Sequence, residues 1–145
     1  MTEITTDSVP FNYQRCTTSS CPLLSSCLRS IAWRELRGNA ISFTVLNPSL
    51  TTEASGCPYF VSSVPERYAV GFTQMQAQML PAQYERFMSI CRSRFGRNGY
   101  FVRRRGELPI SPSEQKFIRE TLNAVGGPQN VDFDGYEERI NWFGE

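Results

Sequence analysis

The 145-residue sequence predicts an α+β fold: a single small domain with three to four helices packed on a small, mainly antiparallel sheet, led by a cysteine-rich N-terminal loop. Three observations carry this expectation. Tyr84, Phe87, Met88, Cys91 and Phe95 recur at helical spacing, and Phe117, Ile118, Leu122 and Val125 do so again downstream. Ile41, Phe43 and Val45 alternate with polar residues, as a half-buried strand requires. The breaks between these patterns are short and rich in Gly, Pro and Asn, with no internal repeat and no linker long enough to divide the chain.

Residues 1–10 are polar and read as a flexible N-terminal arm, leaving 11–145 as the domain. Phe11 and Tyr13 are expected to pin the chain to the core just before a Ser/Thr-rich loop, Cys16 to Ser26. Leu24 to Leu36 reads as a helix, with Leu24, Leu28, Ile31 and Ala32 at helical spacing and Arg37-Gly38-Asn39 ending it. Ala40 to Leu46 reads as a strand, broken by Asn47-Pro48 and followed by a polar loop to Gly56. The apolar pattern restarts at Cys57-Pro58-Tyr59-Phe60-Val61.

Tyr68 to Met75 is expected to be a second strand containing a closely packed Gly71. Pro81 suits the first position of a helix that Gly96 caps. Asn98-Gly99 reads as a turn, Tyr100 to Arg104 as a third strand, and Arg105-Gly106 as a turn toward Leu108 and Ile110. Ser111-Pro112-Ser113-Glu114 is a helix start with its own capping box, and Gly126-Gly127-Pro128 is the stop. From Val131 to Glu145 the chain is acidic, with Tyr136, Ile140 and Phe143 on one helical face.

Composition narrows the chemistry. Histidine is absent, which removes Ser-His and Cys-His nucleophile pairs built from this chain and leaves any metal site to Cys, Asp and Glu. A net charge of +1 gives no global pull toward nucleic acid or membrane. No apolar run approaches the ~20 residues of a membrane span. Met1 to Pro10 has neither a basic region nor an apolar stretch, so the expected address is cytoplasmic. Thiols stay reduced there, and a cysteine cluster points to metal before disulfides.

Four of the five cysteines form such a cluster: Cys16, Cys21 and Cys27 within twelve residues, then Cys57, with Cys21 and Cys57 each followed by proline. Zinc would take all four as thiolates in a closed, structural site. The spacing lacks a Cys-x2-Cys pair, and an iron–sulfur cluster, [4Fe-4S], or no metal at all are the alternatives. The string Cys21-Pro22-Leu23-x3-Cys27 resembles the end of the cluster loop in the endonuclease III and adenine glycosylase group. The resemblance covers seven residues and transfers no activity. Cys91 sits on an apolar helical stripe and reads as core packing.

Six arginines crowd one segment with no acid among them: Arg92, Arg94, Arg97, Arg103, Arg104 and Arg105, interleaved with Phe95, Tyr100 and Phe101. Fifteen basic residues less these six leaves nine against fourteen acids, so the rest of the chain is net −5. A hairpin here could bind phosphate, with Tyr100 and Phe101 stacking on bases. The plainer reading is a solvated hairpin paired with the acidic C-terminus, at Asp132, Asp134, Glu137, Glu138 and Glu145.

Phe11-x-Tyr13, Cys16, Cys21, Cys27-Leu28-Arg29, Cys57-Pro58-Tyr59-Phe60, Gly71, Tyr100, Arg104-x-Gly106, Ile110-Ser111-Pro112-x-Glu114-Gln115, Phe133-Asp134-x-Tyr136 and Trp142 together carry a family resemblance. The chain resembles an uncharacterised family of small, cysteine-containing Bacteroidetes proteins, a domain of unknown function. Members often carry His just before the first cysteine, where this chain has Arg15. The resemblance implies one domain from about residue 11 onward and no activity. The sequence thus points to a non-enzymatic interaction module with a structural four-cysteine metal site. The alternatives are a nucleic-acid binder using the Arg92–Arg105 region and an iron–sulfur redox protein; the partner would be protein or nucleic acid.

Overall fold

The computed structural model describes residues 3–35, 41–49 and 57–145. The chain forms two compact units, Met1–Pro65 with Ile140–Gly144, and Glu66–Arg139 with Glu145. The described residues hold four α-helices and a two-stranded antiparallel sheet, a small α+β arrangement.

In the second unit, β1 (Glu66–Val70) pairs with β2 (Gly135–Arg139), Ala69 opposite Tyr136 and Val70 opposite Gly135. Ile110 flanks the other side of β1 by exchanging two backbone hydrogen bonds with Ala69, 2.8 and 3.0 Å. Tyr136 does not ride on a C-terminal helix as its spacing implied. The segment pairs as a strand, which satisfies the backbone groups of β1 and brings Arg67 over the Tyr136 ring at 3.6 Å. The strand expected over Tyr68 to Met75 is also shorter. It stops at Val70, and Gly71, at φ +77°, turns the chain into α2 (Thr73–Gln78).

α3 (Pro81–Arg104) begins with Pro81 at its first position and buries Phe87 and Cys91 completely, with Tyr84, Met88 and Phe95 half-buried on the same stripe. Gly96 interrupts it at φ 75° and ψ 170°, as a cap would. The chain then re-enters the helix, so the strand expected at Tyr100 to Arg104, and the hairpin with it, is corrected to helix. Helical re-entry puts Tyr100, Arg103 and Arg104 at i, i+3 and i+4. Tyr100 is thereby fully buried edge-on against Phe72, 5.6 Å between centroids, while Arg103 reaches Glu114.

α4 (Pro112–Ala124) starts where its capping box foretells. Ser111 Oγ accepts from the Glu114 amide at 3.4 Å and Glu114 Oε1 accepts from the Ser111 amide at 3.1 Å. Ile118 and Leu122 enter the core with Phe72, Met75, Phe87 and Ile110.

The first unit centres on Tyr13, Leu28, Ala32 and Val61, all buried, with Ile4, Val9, Ile140 and Trp142 packed around them. Residues 6–8 form a 3-10 turn, and Thr6 Oγ1 donates to the Glu35 carbonyl. Tyr13 anchors as expected, whereas Phe11 does not: it is 93% exposed. α1 (Leu28–Arg34) starts later than its apolar spacing implied, because residues 22–26 make turns. The stop expected at Arg37-Gly38-Asn39, Ala40, and most of the polar loop to Gly56 lie outside the described residues. Residues 41–46 form no strand. Arg15 and Val45 meet in an isolated parallel bridge, and Ile41 is fully exposed.

Candidate functional site

Four cysteines from separate stretches of the first unit line one cavity. Its volume is about 20 Å³, and Cys16, Cys21, Cys27, Cys57, Leu23 and Arg29 form part of its wall. All are free thiols; Cys27 is buried and the other three are half-buried. Each is held by local geometry. Cys27 is the N-cap of α1, and its backbone amide donates to the Leu23 carbonyl at 3.0 Å. On either side of Cys27, Ser63 donates to Ser26 at 2.9 Å and Leu28 to Val61 at 2.8 Å, tying α1 to the stretch that follows Cys57. The amide of Cys16 donates to the Arg29 carbonyl at 3.1 Å.

The two Cys-Pro pairs form matching turns. Leu24 donates to the Cys21 carbonyl and Phe60 to the Cys57 carbonyl, each at 3.3 Å, so proline occupies the second position of both. In the first turn the Leu23 amide also points at sulfur, 3.4 Å from Cys21 Sγ. The four cysteines line the cavity without converging on one point. Among the described residues, no three Cys, Asp or Glu side chains meet as a metal-holding group.

Arg29 is the side chain that sequence reasoning left out of the site. Its Nε donates to the Tyr59 carbonyl at 2.9 Å and its Nη1 to the Gln14 carbonyl at 3.0 Å. Its position two residues after Cys27 was the available signal. Tyr13 lies beneath it, with the guanidinium carbon 5.4 Å from the ring centroid. Burial pushes the Tyr13 hydroxyl up to about 12, so it stays protonated and donates to the Trp142 carbonyl at 2.8 Å.

A sequence profile described as a family of unknown function (DUF6078) matches residues 1–142. The chain belongs to that family. No curated protein and no solved structure matches it. The family description assigns no activity, so the reading of this member rests on its own residues.

The arginines expected to gather on a hairpin are instead spread around the helix α3. Arg103 binds one carboxylate oxygen of Glu114 twice, Nη2 at 2.7 Å and Nε at 2.9 Å. Arg104 donates to Gln76 Oε1 at 2.9 Å and to the Tyr84 hydroxyl at 3.0 Å. Arg94 covers the Phe117 ring at 4.5 Å, and Arg105 pairs with Glu107 at 2.7 Å. Arg103 and Arg105 thus take Glu114 and Glu107 as their carboxylate partners. Tyr100 is buried and cannot stack on a base. Burial first, then its hydrogen bond with Tyr84, raises its hydroxyl far above the ordinary value. Arg92 and Arg97 form no ion pair among the described residues and flank a surface groove of about 540 Å³.

Cys91 stands apart from the other thiols. It is fully buried in the second unit, and burial alone pushes its thiol up to about 12. This fits packing and not reactivity. Among the described residues, no helix is long and apolar enough to cross a membrane.

Proposed function

We propose that this protein is a non-enzymatic interaction module whose first unit is closed by a structural metal site at Cys16, Cys21, Cys27 and Cys57, with zinc as the metal. One observation carries the reading: thiols from four points along 42 residues of sequence line a single cavity. The matched Cys-Pro turns and the amide aimed at Cys21 Sγ support it. Ligation requires the four cysteine side chains to converge from the positions they hold here. The cavity of about 20 Å³ has room for a water-sized occupant between the four cysteines. Four thiolates would leave no open coordination position, which makes the site a staple and not a catalyst. Phe11 and Phe143 are exposed on the same unit.

The deciding experiment is elemental analysis and an absorption spectrum on protein purified without oxygen. About one equivalent of zinc in a colourless sample is expected. Iron with absorbance near ~400 nm replaces zinc with a cluster. Less than roughly a tenth of an equivalent of either metal, with all thiols reduced, removes the site.

Nucleic-acid binding is a second reading, supported by Arg92 and Arg97, which form no ion pair among the described residues and lie beside one groove. It requires the affinity for single-stranded RNA or DNA to fall steeply with salt and the slope to shallow by about two in Arg92→Ala/Arg97→Ala. An unchanged slope removes it.

A further inference from the structure

We infer that Arg29 is the positioning residue of the cysteine site, joining three of its four cysteine-bearing segments and supplying a positive charge to the centre they form. The inference rests on the four-cysteine reading above. Arg29 is the second residue of α1, so its backbone is fixed just after Cys27. From there its carbonyl holds the Cys16 amide, its Nη1 holds the Gln14 carbonyl on the approach to Cys16, and its Nε holds the Tyr59 carbonyl inside the Cys57-Pro58 turn.

Its charge faces the Tyr13 ring. Its Nε and Nη1 bonds both go to neutral carbonyl oxygens, and among the described residues no carboxylate pairs with it. The same side chain lines the cavity. Zinc with four thiolates carries two net negative charges, and a half-buried guanidinium beside it offsets part of that charge. The planar fork explains why arginine stands here: two carbonyls are held in fixed directions by one group. Supporting residues around metal centres typically change affinity by ~10–100-fold when removed.

The test compares wild type, Arg29→Gln, Arg29→Lys and a control, Arg34→Gln, by zinc competition against a chromogenic chelator and by the pH at which zinc is released. Arg34 lies on the same helix, is exposed, and makes one comparable bond to the Leu24 carbonyl at 2.7 Å. Arg29→Gln is expected to bind zinc at least ~10-fold more weakly and to release it at higher pH, since protons then compete more easily. Arg29→Lys keeps the charge but loses the fork, so its release pH should stay near wild type while its affinity falls by roughly threefold. The control should match wild type. Affinity and release pH unchanged in both Arg29 variants overturn the inference. If the glutamine variant does not fold, wild-type affinity in the lysine variant overturns it alone. Wild-type protein that takes up no zinc fails the site reading itself, a result distinct from either outcome for Arg29.

Discussion

A Cβ placed on Gly71 would lie 2.7 Å from Oδ2 of Asp134. The close approach exists because Asp134 caps α2 across the chain. Oδ2 accepts from the Thr73 amide at 2.9 Å and its hydroxyl at 2.6 Å, and Oδ1 from the Gln74 amide at 3.0 Å. The Gly71 carbonyl in turn accepts from the Asp134 amide at 2.9 Å. Gly71→Ala therefore meets both a left-handed φ and a clash, and is expected to cost about 2–4 kcal/mol in urea unfolding. Asp134→Ala should cost about 1–2 kcal/mol through the lost cap. In the double variant the clash is relieved, so the two costs should fall short of additive by about 1 kcal/mol. Strict additivity would contradict the geometry.

Metal removal should be visible in the melting temperature. Free zinc at one hundred times its dissociation constant adds about 2.7 kcal/mol to the folded state, worth roughly 5–10 °C for a chain of this size. Chelation should lower the transition by that amount, and Cys57→Ser should melt at the chelated temperature with or without zinc. A transition indifferent to zinc in wild type would contradict the proposal.

Cys91 offers a contrast inside the same molecule. With its thiol pushed up to about 12 by burial, it should resist iodoacetamide in native protein at pH 8 while the cavity cysteines of metal-free protein react. Mass spectrometry of tryptic peptides reads the two classes apart. Cys91→Ala should cost about 1 kcal/mol for the void it leaves. Prompt native labelling at Cys91 would refute its assignment to the core.

Acid stability should carry a contribution from Asp132. The Tyr136 hydroxyl foremost, with the Phe133 amide and Arg119, holds its carboxyl below the ordinary range. A carboxyl lowered by folding stabilises above its unfolded value, about 3.9, and this stabilisation is lost as pH falls through the lower folded value. The group is well exposed, so the effect is small and screened by salt. Tyr136→Phe should be less stable than wild type at pH 7, and the gap should narrow as pH falls below the unfolded carboxyl's value of about 3.9. A gap constant from pH 7 to pH 2, followed by urea midpoints, would exclude this linkage.

Legibility in the sequence followed how local the signals were. α4 was readable because Ser111, Pro112 and Glu114 act within one turn, and the early α3 stripe because five apolar residues repeat on one face. Residues 97–104 misled because Gly96, Asn98 and Gly99 carry turn chemistry, yet the burial of Tyr100 against Phe72 overrides that local preference. β2 misled because Tyr136, Ile140 and Phe143 happen to share helical spacing, while a strand is fixed by pairing with β1, about 70 residues away. The four cysteines were legible as a set, since their chemistry is written in residue type. Arg29 was not, because its role depends on which carbonyls the fold brings to it.

The hydrogen bond from Tyr13 to Trp142 belongs to the first unit, although its two ends stand 129 positions apart in sequence. During synthesis, everything up to Pro65 emerges before the tail that completes that unit. At ~5–20 residues per second, the roughly 75 residues between them take on the order of 4–15 s. A nascent chain therefore presents its cysteines for seconds beside an apolar cluster still missing Ile140 and Trp142. Metal capture in that interval would hold the first unit together until translation delivers its last strand of packing.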